Sequence, residues 1–136
     1  MAAIQNLVLT DRASTPVAHT FVPAGFEPNG YVVKVMENAA NGVPYGANEF
    51  TLGLRQTPSG LYKATMKLVK NRVITETING VAKITTLKPL IAECTFTYPE
   101  DCTKAERNDL VGMFADGMGT SKALVNDTIV ELNKAY

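Results

Sequence analysis

From residue 49 to residue 69 the chain alternates apolar and polar side chains, and a single turn tetrapeptide, Thr57-Pro58-Ser59-Gly60, interrupts the pattern. A period of two is what a strand needs to put one face on a core and the other in water, because successive side chains leave a strand on opposite sides. Phe50, Leu52 and Leu54 fall on one face of the first run, with Glu49, Thr51, Gly53 and Arg55 on the other. In the second run Tyr62, Ala64, Met66 and Leu68 oppose Lys63, Thr65 and Lys67. The turn makes the two runs a hairpin whose apolar parities can share a face. A β-sheet with hydrocarbon on one side and cations and hydroxyls on the other is therefore expected at the middle of the chain.

The flanking sequence extends the sheet and then changes period. Residues 5–11 and 17–22 read as a first hairpin, and Pro23, Gly25, Pro28 and Asn29-Gly30 punctuate the chain before a β-branched run at 31–36. Residues 41–46, Asn-Gly-Val-Pro-Tyr-Gly, read as a loop. Beyond residue 69, the runs 73–78 and 81–86 flank Asn79-Gly80, the strongest short hairpin signal, and are expected as a projecting arm or long loop at about 70–88. A last strand at 90–98 puts Leu90, Ala92, Cys94, Phe96 and Tyr98 on one parity and Ile91, Glu93, Thr95 and Thr97 on the other. After Pro99, Thr103-Lys104-Ala105-Glu106 matches a capping box, and Leu110, Val111, Phe114, Ala115 and Met118 recur at helical spacing. Gly117 and Gly119 are expected to end this helix and Thr120 or Ser121 to cap a second, striped by Leu124, Val125, Ile129 and Leu132. The layout is α+β: antiparallel strands within 5–98, then two helices within 101–136, in a single domain spanning 1–136.

Composition narrows the function classes. With 46% apolar and 19% charged residues the chain is globular, not disordered. No stretch approaches the roughly 20 apolar residues of a membrane helix, and the first residues lack the basic and apolar regions of a signal peptide, so neither a membrane nor a secretory route is expected. Cys94 and Cys102 do not suggest a disulfide framework and read as free thiols in a reducing compartment. His19 is the sole histidine, expected at a strand end and satisfied by solvent or backbone, so no His-based metal site can be assembled. There is no Gly-rich phosphate loop, and the adjacent acids Glu100 and Asp101 suit a helix entrance better than catalysis. No enzyme, cofactor, metal or small-molecule substrate is expected.

Charge supplies the positive lead. Thirteen basic and thirteen acidic residues cancel overall, yet residues 55–88 hold seven cations (Arg55, Lys63, Lys67, Lys70, Arg72, Lys83, Lys88) against Glu76 alone. Thr51, Arg55, Lys63, Thr65, Lys67, Glu93, Thr95 and Thr97 all fall opposite the core parity. Parity by itself fits an ordinary solvated face about as well as a binding face; the segregation of charge favours a polyanion such as a phosphate backbone. Oligomerisation is expected too. A meander of five or more strands leaves two open edges and an apolar face that two helices must cover, and pairing two copies edge to edge with exchanged helices answers both.

The sequence resembles the coat proteins of small single-stranded RNA bacteriophages over essentially its whole length. The resemblance is carried by Leu7-Val8-Leu9-Thr10-Asp11, Asn29-Gly30, Arg55-Gln56 and Tyr62-Lys63. The most specific stretches are Ile91-Ala92-Glu93-Cys94-Thr95-Phe96-Thr97-Tyr98 and Thr103-Lys104-Ala105-Glu106-Arg107, with the ending Leu132-Asn133-Lys134-Ala135-Tyr136. It implies an N-terminal hairpin, a five-stranded antiparallel sheet and two C-terminal helices interlocked with a partner's, in a homodimer with a continuous sheet. It further implies an icosahedral shell of such dimers around the viral genome, assembled in the bacterial host cytoplasm. Binding of an RNA stem-loop would repress translation and mark the genome for packaging. By position, Thr51, Gly53, Lys63, Thr65, Lys67, Ile91 and Glu93 would line the RNA surface, with Arg55 on the same parity; the arm at 73–86 would meet its copies at symmetry axes. Three positions depart from the pattern: Ile91 stands where members often carry a base-stacking tyrosine, Leu61 where a polar contact is common, and Gly53 in place of a hydroxyl-bearing residue. A dimeric RNA-binding regulator that forms no shell is the alternative.

Overall fold

A computed structural model describes residues 2–38 and 46–136. Contacts divide the chain into two compact units, Met1–Thr97 and Tyr98–Tyr136. The first is a sheet of β1 (Leu7–Thr10), β2 (Ala18–Phe26), β3 (Val32–Glu37), β4 (Glu49–Gln56), β5 (Tyr62–Ile78) and β6 (Val81–Tyr98), each hydrogen-bonded to the next in chain order. The second holds α1 (Lys104–Gly117) and α2 (Ala123–Ile129). The expected loop at 41–46 lies, apart from Gly46, outside the described residues.

The alternation at 49–69 is realised as read. Phe50 pairs with Leu68, Leu52 with Met66 and Leu54 with Ala64, so the apolar parities of β4 and β5 face the same way. At the turn, the Gly60 amide donates to the Thr57 carbonyl at 2.9 Å and the Thr57 amide to the Leu61 carbonyl at 2.7 Å. Gly60 takes φ +87°, the left-handed conformation that such hairpin loops place on glycine. Across β3 the same face continues through Val35, opposite Phe50. Phe21, Val35 and Phe50 form the buried core, with Leu7, Leu9, Met66 and Leu68 packed against it.

One expectation about the strands needs correction. The N-terminal hairpin is not separate from a five-stranded sheet: β2 pairs with β3 through Phe21–Glu37, Val22–Met36 and Pro23–Val35, giving six strands among the described residues. A register shift between Pro23 and Gly25 lets β2 run to Phe26 past both turn-forming residues. The arm expected at about 70–88 is a hairpin continuous with the strands on either side of it. β5 runs unbroken for 17 residues and β6 for 18, so the projecting arm is the far end of the same two strands. Asn79 (φ +51°) and Gly80 (φ +78°) close it with the paired positive φ angles of a type I′ turn. Arg72 ties the two strands at the base of the arm, its Nε donating to the Lys88 carbonyl at 2.8 Å. Pro89 is tolerated because β6 is an edge of this chain's sheet.

In the second unit the capping box forms at both ends: the Glu106 amide donates to Thr103 Oγ1 at 3.2 Å, and the Thr103 amide to Glu106 Oε2 at 2.7 Å. α1 ends at Gly117 as expected. The cap of α2 is a correction: Lys122, with no side-chain cap bond, occupies the position expected for Thr120 or Ser121. Turn bonds from Gly119 to Asp116 and from Lys122 to Gly119 carry the connection two residues further before the helix begins. α2 then stops at Ile129, and Leu132, expected on its stripe, lies beyond it at φ +58°. Neither helix contains a buried residue; Met113 is 76% exposed and Leu124 70%.

Candidate nucleic-acid interface

The polar parity of the β4–β5 hairpin becomes one surface through its register. Thr51 lies opposite Lys67, Gly53 opposite Thr65 and Arg55 opposite Lys63, and directly opposed residues of an antiparallel pair share a face. Thr51, Lys63, Thr65 and Lys67 are half-buried and Arg55 is exposed. From β6, Glu93 joins them: its Oε1 lies 3.5 Å from Lys67 Nζ. Ile91, two residues earlier and so on the same side of the strand, is 56% exposed. Along 93–97 Glu93, Thr95 and Thr97 are exposed while Cys94 and Phe96 are half-buried, as the expected parity requires.

Gly53 differs from the other seven in being buried. A Cβ there would sit 2.7 Å from Cγ2 of Val32, its neighbour on β3. Glycine is required by close approach of that valine, and the methyl fills the place a side chain at 53 would take.

The register adds a residue that the sequence reading did not assign. Lys34 on β3 lies opposite Thr51, so it belongs to the same face, and its Nζ is 3.2 Å from Glu49 Oε1. Lys34 and Lys67 are each paired with a carboxylate, whereas no ion pair to Arg55 or Lys63 occurs among the described residues. Four cations against Glu49 and Glu93 leave the face net positive.

On the core side of the sheet, His19 is not left to solvent or backbone as expected. Its Nε2 is 2.9 Å from Asp11 Oδ2 and its Nδ1 2.5 Å from Glu37 Oε1. Glu37 Oε2 in turn accepts from Asn48 Nδ2 at 2.8 Å, and Asn48 Oδ1 from the Asn71 amide at 3.0 Å. The two carboxylates grip opposite nitrogens of the ring, so they do not converge on a common point. Among the described residues no group of three His, Cys, Asp or Glu side chains is placed to hold a metal ion. No described helix is long and apolar enough to cross a membrane.

The described residues thus form a six-stranded antiparallel sheet with a basic polar face, followed in the chain by two short helices: an α+β protein with no metal-holding cluster among them. Comparison with known proteins bears on it directly. The profile of the Levivirus coat protein family matches residues 2–136. The capsid protein of Pseudomonas phage PRR1 is 43% identical over 135 residues, covering 99% of this chain and 100% of that protein. In fold, the subunit of the virus-like particle of bacteriophage ESE058 superposes with a TM-score of 0.87 at 24% identity, covering 99% of this chain and 100% of that one. A bacteriophage coat protein solved as an unassembled, RNA-binding dimer matches with a TM-score of 0.57 at 20% identity, over 99% of both chains. The chain belongs to the Levivirus coat protein family.

Proposed function

We propose that this protein is the structural subunit of a phage virion: it dimerises, assembles into an icosahedral shell around single-stranded RNA, and holds that RNA on the polar face of β4, β5 and β6. On this reading the whole of 1–136 works as one coat-protein domain, assembled in the bacterial host cytoplasm. The observation that carries it is family membership across 2–136, with the capsid protein of Pseudomonas phage PRR1 matched end to end.

Three features support self-association. β6 is an 18-residue edge strand hydrogen-bonded on one side only among the described residues, and open edges of that length invite another strand. Leu52, Leu54 and Tyr62 lie on the apolar parity yet are exposed, Leu54 by 59%. α1 and its C-cap expose Leu110, Met113, Phe114 and Met118, whose i, i+3, i+4, i+8 spacing puts them on one helix face. A second copy supplies a strand for the edge and helices for the face, each with its complement on the other copy, as two-fold symmetry demands.

RNA binding is supported by the opposed pairs Thr51–Lys67 and Arg55–Lys63, which set ammonium, guanidinium and hydroxyl groups side by side. Stem-loop repression of translation and marking of the genome for packaging are part of the same proposal. Two experiments test it. Electron microscopy of a lysate expressing this chain alone is expected to show uniform shells containing host RNA; dimers without shells, under conditions that permit assembly, would instead favour a non-capsid RNA-binding regulator. Lys63→Ala and Lys67→Ala are each expected to lower the salt slope of RNA binding by roughly one unit. Unchanged slopes would remove RNA from this face.

A further inference from the structure

The basic face does not stop at β4. Lys34, Thr51 and Lys67 are successive cross-strand neighbours on β3, β4 and β5, so they form a row across three strands with a hydroxyl between two ammonium groups. At the usual strand spacing the two lysines are carried by backbones roughly 10 Å apart. The row is closed at both ends by carboxylates, Glu49 on Lys34 at 3.2 Å and Glu93 on Lys67 at 3.5 Å. Both members of the Lys34–Glu49 pair keep about a third of their side-chain surface in water (29% and 30%), so an incoming anion can reach the ammonium without unfolding anything.

We propose that Lys34 is a phosphate-binding residue of the RNA face and that Glu49 is the internal counterion it exchanges for an RNA phosphate. The inference rests on the RNA-binding reading of the β4–β5 hairpin and extends it to β3. The chemistry is a swap of one anion for another at the same ammonium. In the free protein the carboxylate neutralises Lys34; when a phosphodiester lies along the row it takes that place and releases its own condensed cation to solvent. The exchange makes weak, dispersed anions poor competitors, because each must displace a carboxylate already in position. A polyanion anchored at Lys63 and Arg55, which have no carboxylate partner among the described residues, brings its next phosphates to Lys34 and Lys67 at high local concentration.

The test is fluorescence anisotropy of labelled oligouridylate against the full-length chain, disassembled into its subunits, over a potassium chloride series. Lys34→Met is expected to lower the slope of log affinity against log salt by about 0.7–0.9, the loss of one phosphate contact. Lys34→Gln should give the same change with a polar side chain in place. Glu49→Gln is expected to tighten binding about two- to five-fold, the worth of an exposed ion pair removed from the free protein, with a slope no smaller than wild type. A slope unchanged in both Lys34 variants while Lys63→Ala and Lys67→Ala lower theirs would overturn the role of Lys34 and leave the RNA face standing. Glu49→Gln binding no tighter than wild type would overturn the counterion exchange. If none of the lysine variants changes the slope, the RNA reading itself fails and this inference with it. A merely structural Lys34–Glu49 pair would alter stability without moving the slope.

Discussion

His19 Nδ1 lies 2.5 Å from Glu37 Oε1, and because the opposite ring nitrogen meets Asp11, the residue that follows β1, one imidazole on β2 ties the end of β1 to β3 at the edge of the core. Hydrogen bonds to Asp11 first and Glu37 second raise the His19 pKa above its usual 6.5. The bond from His19, followed by amides of Val17 and Ala13, holds the Asp11 carboxyl down at about 2 instead of 3.8. The signs run in opposite directions. A raised histidine pKa contributes stability that is fully present below pH 6.5 and is lost as pH climbs through the folded value. A depressed carboxyl contributes above pH 3.8 and is lost as pH falls through about 2. The clamp is therefore strongest between those limits. Lys70, which borders the same hollow as His19 and Glu37, is the other charged group there. Thermal unfolding of the unassembled protein is expected to show a melting temperature that declines from pH 6 towards pH 9, and a flatter profile in His19→Asn. Since the chain has one histidine, its proton resonance titrates alone, and a pKa at or below 6.5 would contradict the clamp.

What could be read from the sequence, and what could not, follows from how far each feature depends on distant residues. The Thr103–Glu106 capping box is four residues long and needs no partner elsewhere, so it was legible. The faces of β4 and β5 were legible because alternation is a local property, and their union on one sheet needed only a four-residue turn. The His19 clamp was not: its partners are 8 and 18 residues away and meet only once β1, β2 and β3 are in register. Lys34 escaped for another reason. Val32 and Val33 put an apolar residue on each parity of β3, so the strand's own pattern does not say which side the lysine takes; the pairing with Thr51 does. The runs 61–69 and 73–78 are one strand in the structure, joined through the three consecutive polar residues Lys70-Asn71-Arg72, whose own pattern carries no apolar alternation. Asn71 instead earns its place in the strand by donating from Nδ2 to the Ala47 carbonyl and from its amide to Asn48.

Gly53→Ser should destabilise the fold by about 1–3 kcal/mol, the usual cost of adding atoms to a filled space. The new Cβ would stand 2.7 Å from Val32 Cγ2, and β-branched valine has little rotamer freedom to retreat. Val32→Ala in the same chain removes the offending methyl and is expected to recover most of the loss. Urea unfolding of the two single variants and the double variant checks this; a Gly53→Ser midpoint equal to wild type would mean that β3 yields without cost.

At the arm's tip the cost is conformational alone. Gly80 sits at φ +78° with nothing within 4 Å of where a Cβ would be, so Gly80→Ala meets no clash yet must hold an L-residue in the left-handed region. The penalty is about 1–2 kcal/mol, felt by the residues beside the turn. Hydrogen exchange of the amides in 74–84 is expected to accelerate in Gly80→Ala, while amides of the β4–β5 core around Phe50 and Leu68 keep their protection. Uniform acceleration across both regions would show that the arm and the body of the sheet open together.

Ile91→Tyr is expected to strengthen RNA binding. Ile91 is exposed and shares its face with Glu93, itself paired to Lys67, so a side chain at 91 stands beside the proposed phosphate row. An isoleucine there offers hydrocarbon to a base but no π-face; a tyrosine offers a stacking platform, and a base stacked on an aromatic is worth about 1–3 kcal/mol. The substitution adds no charge, so it separates stacking from electrostatics: affinity for an unpaired oligonucleotide should rise several-fold or more while the salt slope stays at the wild-type value. The same variant with Lys67→Ala should keep the stacking gain and lose one phosphate contact's share of the slope, since the two act on different parts of the nucleotide. A gain confined to low salt would mean that residue 91 acts through neighbouring charges, and no gain at all would mean that bases do not reach β6.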